Sequence, residues 1–307
     1  MASTPQIRIG VSGWRYPPWR GVFYPEDLKQ DLELAYASRQ LSTIELNGSF
    51  YSLQRPENYQ NWSDATPKNF LFSVKGPRYI THILRLRDCE SALANFFASG
   101  PFRLGDKLGP LLWQFPANFS FDAARLAQFF EWLPRDGESA LKLARRHDRR
   151  FDGRVSLDDN GIGRIRHVIE IRSPSFAKSE FVDLLRKWDI GLVVSDSDGR
   201  WPVFEDLTAD LVYIRLHGHE ELYASGYDAA AIEKWGKRIT DWVQGREPSD
   251  ARRICPAAPP APRDVFCYFD NDAKVMAPRD ARSLMTLLRL PMEPDLPEGV
   301  AEAPKRE

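Results

Sequence analysis

Short apolar runs rich in β-branched and aromatic residues alternate along this chain with longer stretches whose apolar residues recur at helical spacing. Ile7–Ser12 reads as a strand and Leu28–Arg39 as the helix after it; Thr43–Leu46 and Pro56–Ala65 repeat the pair. Phe70–Lys75 with Cys89–Ser99, Leu108–Gln114 with Asp122–Leu133, and His167–Ile171 with Glu180–Trp188 continue it. Gly191–Ser195 and Leu211–Leu216 are strands with only a short connection. A helix over Ala229–Gln244, a strand over Val265–Phe269 and a closing helix over Pro278–Leu290 follow. Apolar strands separated by amphipathic helices imply βαβ units and a parallel sheet, covered on both faces. About eight strands is the number that closes such a sheet into a barrel, and 307 residues are enough for one.

The competing arrangement, an open doubly wound sheet, places a glycine-rich phosphate turn after its first strand. Here that strand runs into Gly10-Val11-Ser12-Gly13-Trp14, with Tyr16, Pro17, Pro18 and Trp19 close behind. Bulky rings at the turn keep backbone away from a pyrophosphate, and no dinucleotide or Walker-type glycine motif occurs. The expected fold is an α/β, TIM-like (β/α)8 barrel, a single domain over residues 1–290. Arg135–Arg166 is a charged insertion with a short helix-like piece at Glu138–Phe151. Gly245–Arg263 is a Pro/Ala-rich loop, and Pro291–Glu307 is a Pro/Glu-rich stretch expected to be a disordered tail.

A net charge of −1 argues against coating nucleic acid or a membrane by charge alone. No apolar run approaches the roughly 18 residues of a membrane span, and Met1–Gln6 lacks the basic and apolar regions of a secretory signal. The three cysteines, Cys89, Cys255 and Cys267, are odd in number and far apart, which fits a reducing compartment. A cytoplasmic protein with no membrane association and no obligate protein partner is the expectation.

In a barrel of this kind the ligand site lies at the C-terminal strand ends. Read there in order, the chain offers Ser12 and Trp14; Glu45, Asn47 and Tyr51; Lys75; Gln114; Glu170 and Arg172; Ser195 and Asp196; Arg215 and His217; Asp270 and Asn271. Each follows a mostly apolar run, and polar groups entering a low-dielectric mouth must be paired or functional. Glu45, Lys75, Glu170, Arg215, His217 and Asp270 form the expected catalytic set. Glu45 or Glu170 would be the general base, with Lys75, Arg172 and Arg215 stabilising an anion. Trp14, Asn47, Tyr51, Gln114, Arg172, Asp196 and Asn271 are the expected ligand contacts. The plainer alternative is mutual satisfaction inside the barrel, for example Glu45 with Lys75 or Glu170 with Arg172.

The acids Glu45, Glu170, Asp196 and Asp270 face the bases Lys75, Arg172 and Arg215, with His217 able to switch. That balance suits a small polar or anionic molecule better than a bare metal cluster. His217 and His219 supply one crowded corner, so no metal site and no cofactor is expected, a divalent ion staying open. Tyr16, Trp19, Phe50, Tyr79, Phe115, Trp201, Tyr223 and Tyr227 crowd the loops. As a group they suit a planar or sugar-like ligand, whereas any one alone reads as core. The basic run Arg145–Arg150 is diluted by Asp148 and Asp152 and reads as a solvated helix face. Asp196-Ser197-Asp198-Gly199 starts like a calcium loop, but Leu207 stands where the closing Glu belongs. The carboxyl pair that many barrel glycosidases carry on strands four and seven is absent, since those strands end in Gln114 and Arg215.

Five segments taken together resemble the YecE-like family, filed as domain of unknown function 72. They are Gly10–Trp14, Glu45–Tyr51, Lys75–His82, Leu108–Pro116 and Arg215–Gly218, in order on the expected strands, and the resemblance runs from Ile7 to Leu290. It implies a TIM-barrel-like fold with some similarity to the endonuclease IV and xylose isomerase type of barrel. It implies a pocket at Glu45, Asn47, Lys75, Gln114, Glu170, Arg172, Arg215, His217 and Asp270. It also draws in His82 as a ligand contact closing over that pocket, with a packing role at a helix start as the alternative. The chain departs from the family at Ser173, where His or Asn is common, which puts an acid–base role there in doubt. No activity comes with the family.

Three functions remain. The first is an enzyme of hydrolase or isomerase type acting on a small polar or phosphorylated ligand. The second is a nucleic-acid-binding or endonuclease IV-like protein, opposed by the net charge of −1. The third is a non-catalytic metabolite sensor.

Overall fold

Strands form in the expected order: β1 (Ile7–Ser12), β2 (Thr43–Leu46), β3 (Leu71–Lys75), β4 (Leu108–Gln114), β5 (His167–Glu170), β6 (Gly191–Asp196), β7 (Leu211–Leu216) and β8 (Asp264–Phe269). Each pairs in parallel with the next, and β8 returns to β1, closing a TIM-like α/β barrel. This computed structural model describes residues 4–218, 226–271 and 275–292. The helices around the barrel are α1 (Glu33–Gln40), α2 (Gly48–Tyr51), α3 (Pro56–Asp64), α4 (Glu90–Ala98), α5 (Ala123–Trp132), α6 (Gly137–Ala144), α7 (Ser179–Lys187), α8 (Ala229–Val243) and α9 (Met276–Leu287).

The two-residue period of a strand decides what faces the lumen. Leu112, Val168, Val193, Leu211, Tyr213, Phe266 and Tyr268 form a buried cluster of their own inside the barrel. Their alternates, such as Val11, Ile44, Val74, Trp113, Ile169 and Ile214, join the larger core between strands and helices. Hydroxyls cross the lumen one layer below its mouth. Thr43 Oγ1 meets Tyr268 OH at 2.9 Å, and Ser73 Oγ meets Tyr213 OH at 2.8 Å. At the opposite end Arg166 lies over the Phe266 ring at 5.1 Å and donates to Asp264 at 2.6 Å, plugging the base.

Two glycines permit close approaches. A Cβ at Gly10 would stand 1.8 Å from the Thr43 carbonyl oxygen, so the β1–β2 pairing requires its absence. A Cβ at Gly76 would stand 2.3 Å from the Trp113 ring, so the residue after Lys75 must be bare.

Some boundaries differ from expectation. α1 starts at Glu33 rather than Leu28, because Lys29 is extended (φ −63°, ψ 141°) and Gln30–Leu32 forms a separate tight turn. The helix in the insertion ends at Ala144 rather than Phe151. Asp148 is extended there (φ −68°, ψ 133°), and its carboxylate caps a distinct turn, Arg149–Phe151. The insertion is fastened to α4 by the Arg146–Glu90 ion pair and by Asp148 N–H donating to Asn95 at 2.8 Å. The loop at 245–263 contains no helix or strand. Asp206 holds it by accepting from the backbone of Ile254 and Cys255 at 2.9 and 2.8 Å. Of the expected tail, residues 293–307 lie outside the described residues, as do His219 and Tyr223. Among the described residues no helix is long and apolar enough to cross a membrane.

Candidate functional site

Arg215, the last lumen-facing residue of β7, is 1% exposed and forms the hub of the barrel mouth. Its Nε and Nη2 donate to the two oxygens of Glu45 at 3.0 and 2.9 Å. Its Nη1 donates to Glu170 at 2.8 Å, and Nη2 also reaches Asp270 at 2.9 Å. Three carboxylates, from β2, β5 and the end of β8, thus converge on one guanidinium from β7. Glu45 accepts two further bonds, from Tyr213 OH at 2.7 Å and Ser12 Oγ at 3.1 Å. Burial alone would raise Glu170 and Asp270, but the Arg215 charge outweighs it. Arg172 helps at Glu170 and His217 at Asp270, and both acids sit well below the usual carboxylate range. The acids in turn hold the buried Arg215 firmly protonated.

A second layer lies above the hub. Arg172 Nε donates to Glu170 at 3.0 Å. His217 places Nδ1 3.0 Å from Asp270 and Nε2 3.8 Å from Glu170, so its imidazole spans two of the acids. Trp201 covers them, with the Arg172 guanidinium 3.7 Å from its ring centre and the His217 ring edge-on at 5.4 Å.

Lys75 stands apart. The alternation that turns Ser73 into the lumen turns Lys75 the same way, and it is 7% exposed. Its ammonium faces the Phe50 ring at 4.4 Å. Among the described residues no carboxylate lies within 4.0 Å of it. Burial pushes its amine down to about 8; Arg215 adds to that, while Glu45, Glu170 and Asp270 oppose it. His82 packs edge-on against the same Phe50 ring at 5.2 Å. Partial burial, with the charges of Lys75, Arg78 and Arg172, pushes His82 down to about 4.

The structure therefore brings together Glu45, Lys75, Glu170, Arg172, Arg215, His217 and Asp270, with Gln114 buried on the same face at the end of β4. Of the two mutual pairings considered, Glu170 does take Arg172, whereas Glu45 takes Arg215 rather than Lys75. The remaining residues lie around the mouth. Trp14 and Asn47 border a cavity of about 390 Å³ with Asn58 and Trp62. Asn47 Oδ1 is buried there without a hydrogen-bond partner among the described residues. Tyr51, 72% exposed, borders another cavity of about 390 Å³ with Phe50, Tyr79 and Arg150. Asp196 accepts from Tyr227 OH at 3.2 Å and borders a third, of about 420 Å³, with Glu205 and Arg238. Asn271 turns to α9 instead, donating to Asp280 at 2.9 Å.

Tyr213 and the hydroxyl layer beneath the hub were not expected at the site. Their signal was the two-residue step: Tyr213, Tyr268, Thr43 and Ser73 stand two positions before Arg215, Asp270, Glu45 and Lys75. A cation would suit the acids at the mouth, but the Arg215 guanidinium fills that position. Among the described residues no group of three or more His, Cys, Asp and Glu could hold a metal ion.

Residues 8–304 match the family model described as protein of unknown function DUF72. The UPF0759 protein YecE of Escherichia coli K12 is 25% identical over 264 residues, covering 79% of this chain and 84% of that protein. The UPF0759 protein YunF of Bacillus subtilis 168 is 29% identical over 131 residues, 41% of this chain and 45% of that protein. Among solved structures, a DUF72 family protein from Thermotoga maritima aligns with a TM-score of 0.69 at 23% identity, covering 92% of this chain and 99% of that one. One from Enterococcus faecalis V583 aligns with a TM-score of 0.69 at 18% identity, covering 98% and 100%. These structural likenesses speak for the fold.

Proposed function

The chain belongs to the DUF72 family of proteins of unknown function, and from the site itself we propose an enzyme of hydrolase or isomerase type that works by proton transfer on a small polar or phosphorylated molecule at the barrel mouth. The observation that carries this reading is Lys75. Arg172, Arg215 and the three carboxylates are cross-paired, whereas Lys75 is buried with no carboxylate within 4.0 Å among the described residues. An unpaired buried charge is unfavourable unless a ligand completes it.

The same geometry redistributes the chemical roles. Glu45 is taken up by four hydrogen bonds, and Glu170 is held far below neutrality by its cations, so both serve as anchors rather than bases. Proton exchange falls to Lys75, with His217 oriented against Asp270. Arg172 lies over the Trp201 ring, and its terminal nitrogens have no partner among the described residues, which equips it to take an anionic group.

Thermal unfolding with inorganic phosphate and a panel of sugar phosphates tests this. A ligand present at a hundred times its Kd is expected to stabilise the native chain by about 2.7 kcal/mol. Lys75→Met is expected to fold and to lose that increment. If Lys75→Met and Arg172→Ala both keep it in full, the ligand does not sit at this mouth and the reading fails.

Nucleic-acid binding, the second reading, has one observation behind it. Tyr51 and Tyr79 are 72% and 54% exposed beside Arg78 and Arg150 at one cavity, an arrangement suited to stacking an unpaired base. Salt-sensitive binding of single-stranded DNA that Tyr51→Ala abolishes would move the function there. The buried, free state of Cys89, Cys255 and Cys267 supports a reducing, cytoplasmic setting.

A further inference from the structure

We propose that Lys75 is a covalent catalyst whose amine forms an imine with the carbonyl carbon of a small aldehyde or ketone bearing an anionic group. The proposal rests on the mouth being a small-ligand site and names the chemistry done there.

Placement carries the argument. Imine formation needs an amine that is sheltered from water, unpaired with acids and able to shed its proton. Lys75 is 7% exposed and faces an aromatic ring, with no carboxylate within 4.0 Å among the described residues. Acids are nonetheless close enough for their charges to be felt, since Glu45, Glu170 and Asp270 all act on it through space. They favour a cation at this spot without binding up the nitrogen.

The surrounding backbone is also unusual. After Lys75 the chain makes a π-type turn, Tyr79–Ile83, and then holds Arg85, Leu86 and Asp88 at φ 52°, 63° and 43°. Left-handed conformations at bulky residues cost free energy and gather at functional sites. Arg85 ties this segment to the loop after β4 by donating to Asn118 at 3.1 and 2.7 Å. His82 is thereby fixed beside Phe50, within reach of the charges of both Lys75 and Arg172. The anionic end of the ligand is assigned to Arg172, whose terminal nitrogens have no partner among the described residues.

The step balances without an external oxidant or reductant. The Lys75 nitrogen lone pair bonds to the carbonyl carbon as the C=O π pair moves to oxygen. That oxygen gains a proton and the nitrogen loses one, giving a carbinolamine. A second proton on the oxygen lets it depart as water, and the nitrogen lone pair closes the C=N bond. The protonated imine carries one positive charge, as the ammonium did, so the acids facing it remain balanced. The proton transfers are assigned to His82, which packs against the same Phe50 ring as Lys75.

The test is reductive trapping on the full chain. Dihydroxyacetone phosphate, pyruvate and glyceraldehyde are each incubated with the protein and sodium cyanoborohydride at pH 7, and adducts are located by peptide mass mapping. With its amine pushed down to about 8, Lys75 is about 9% unprotonated at pH 7, against about 0.04% for an ordinary lysine. Labelling at Lys75 is expected to outpace exposed Lys68, Lys178 and Lys234 by roughly two hundredfold. Lys75→Arg keeps the charge and should lose the adduct. Labelling confined to the exposed lysines, with every probe, overturns the imine. Stabilisation by phosphate in the same preparation separates the two ideas. If it persists without an adduct, the imine is wrong and the anion site stands; if both are missing, both fall.

Discussion

Replacing Arg215 by methionine should expose how the mouth is held together. The guanidinium is 1% exposed and makes four bonds of 2.8–3.0 Å to three carboxylates. Methionine keeps most of the volume and none of the charge. Three orphaned acids would be a severe cost, but each keeps another partner: Glu45 its Ser12 and Tyr213 donors, Glu170 its Arg172, Asp270 its His217. The expected loss is therefore that of one broken buried pair, about 3–5 kcal/mol. Unfolding entropy near 2.1 cal/mol/K per residue gives about 0.6 kcal/mol/K for a chain of this length, so Tm should fall by about 5–8 °C. The pH dependence carries the sharper test. In the native chain Glu170 and Asp270 lie below their unfolded values, so their stabilisation is present above about pH 4 and fades as the pH falls further. In the variant the largest opposing charge is gone, so burial outweighs what remains and lifts at least one acid above its unfolded value, and stability is lost as the pH rises through that lifted value. The gap between the two proteins should thus be widest near pH 7.5 and narrow towards pH 4.5 in melts followed by circular dichroism. A neutral-pH drop below about 2 °C, or a gap that widens in acid, would refute the hub assignment.

Three further outcomes follow from buried contacts. His167 is buried between Trp113 Nε1–H at 3.1 Å and the Pro134 carbonyl at 2.7 Å; burial, with the charge of Arg135, pushes its imidazole down to about 3. Its contribution is present above its unfolded value of about 6.5 and is lost as the pH falls through about 3, so His167→Gln should flatten the Tm–pH curve over that window. Gly76→Ala drives a methyl into the Trp113 ring and should cost about 1–3 kcal/mol in urea unfolding, with an unchanged m-value. Tyr213→Phe removes a donor to the Glu45 carboxylate and should lower stability by about 1.5–3 kcal/mol in the same assay.

The barrel was legible because parallel strands covered on both faces cannot hide their apolar runs. β1, β2, β4 and β7 begin and end where those runs do. The residues at the mouth were legible for a related reason: a charge after four apolar residues has few places to go. What period two cannot reveal is which residue stands opposite across the lumen. Glu45 and Arg215 lie 170 positions apart, and nothing local says that Glu45 would pair with Arg215 rather than with Lys75. Trp201 was harder still. It sits in the irregular connection between β6 and β7, where no periodicity points a side chain, and only the folded loop lays it on Arg172. The aromatics of the first loop divided for the same reason, Trp19 becoming wholly buried core while Trp14 reached a cavity wall.

The Arg215 clasp also has a consequence for the order in which the molecule can be completed. A chain emerging from the ribosome presents Glu45 first, then Glu170, and offers their shared cation only 45 residues after the second of them. The third acid arrives 55 residues later again. Until then a partial barrel would have to enclose unmatched negative charge at its mouth, so intermediates should stay open rather than close early. Resistance of nascent chains to protease should accordingly appear late, once Asp270 has cleared the exit tunnel, making the last strand the one that commits the whole molecule.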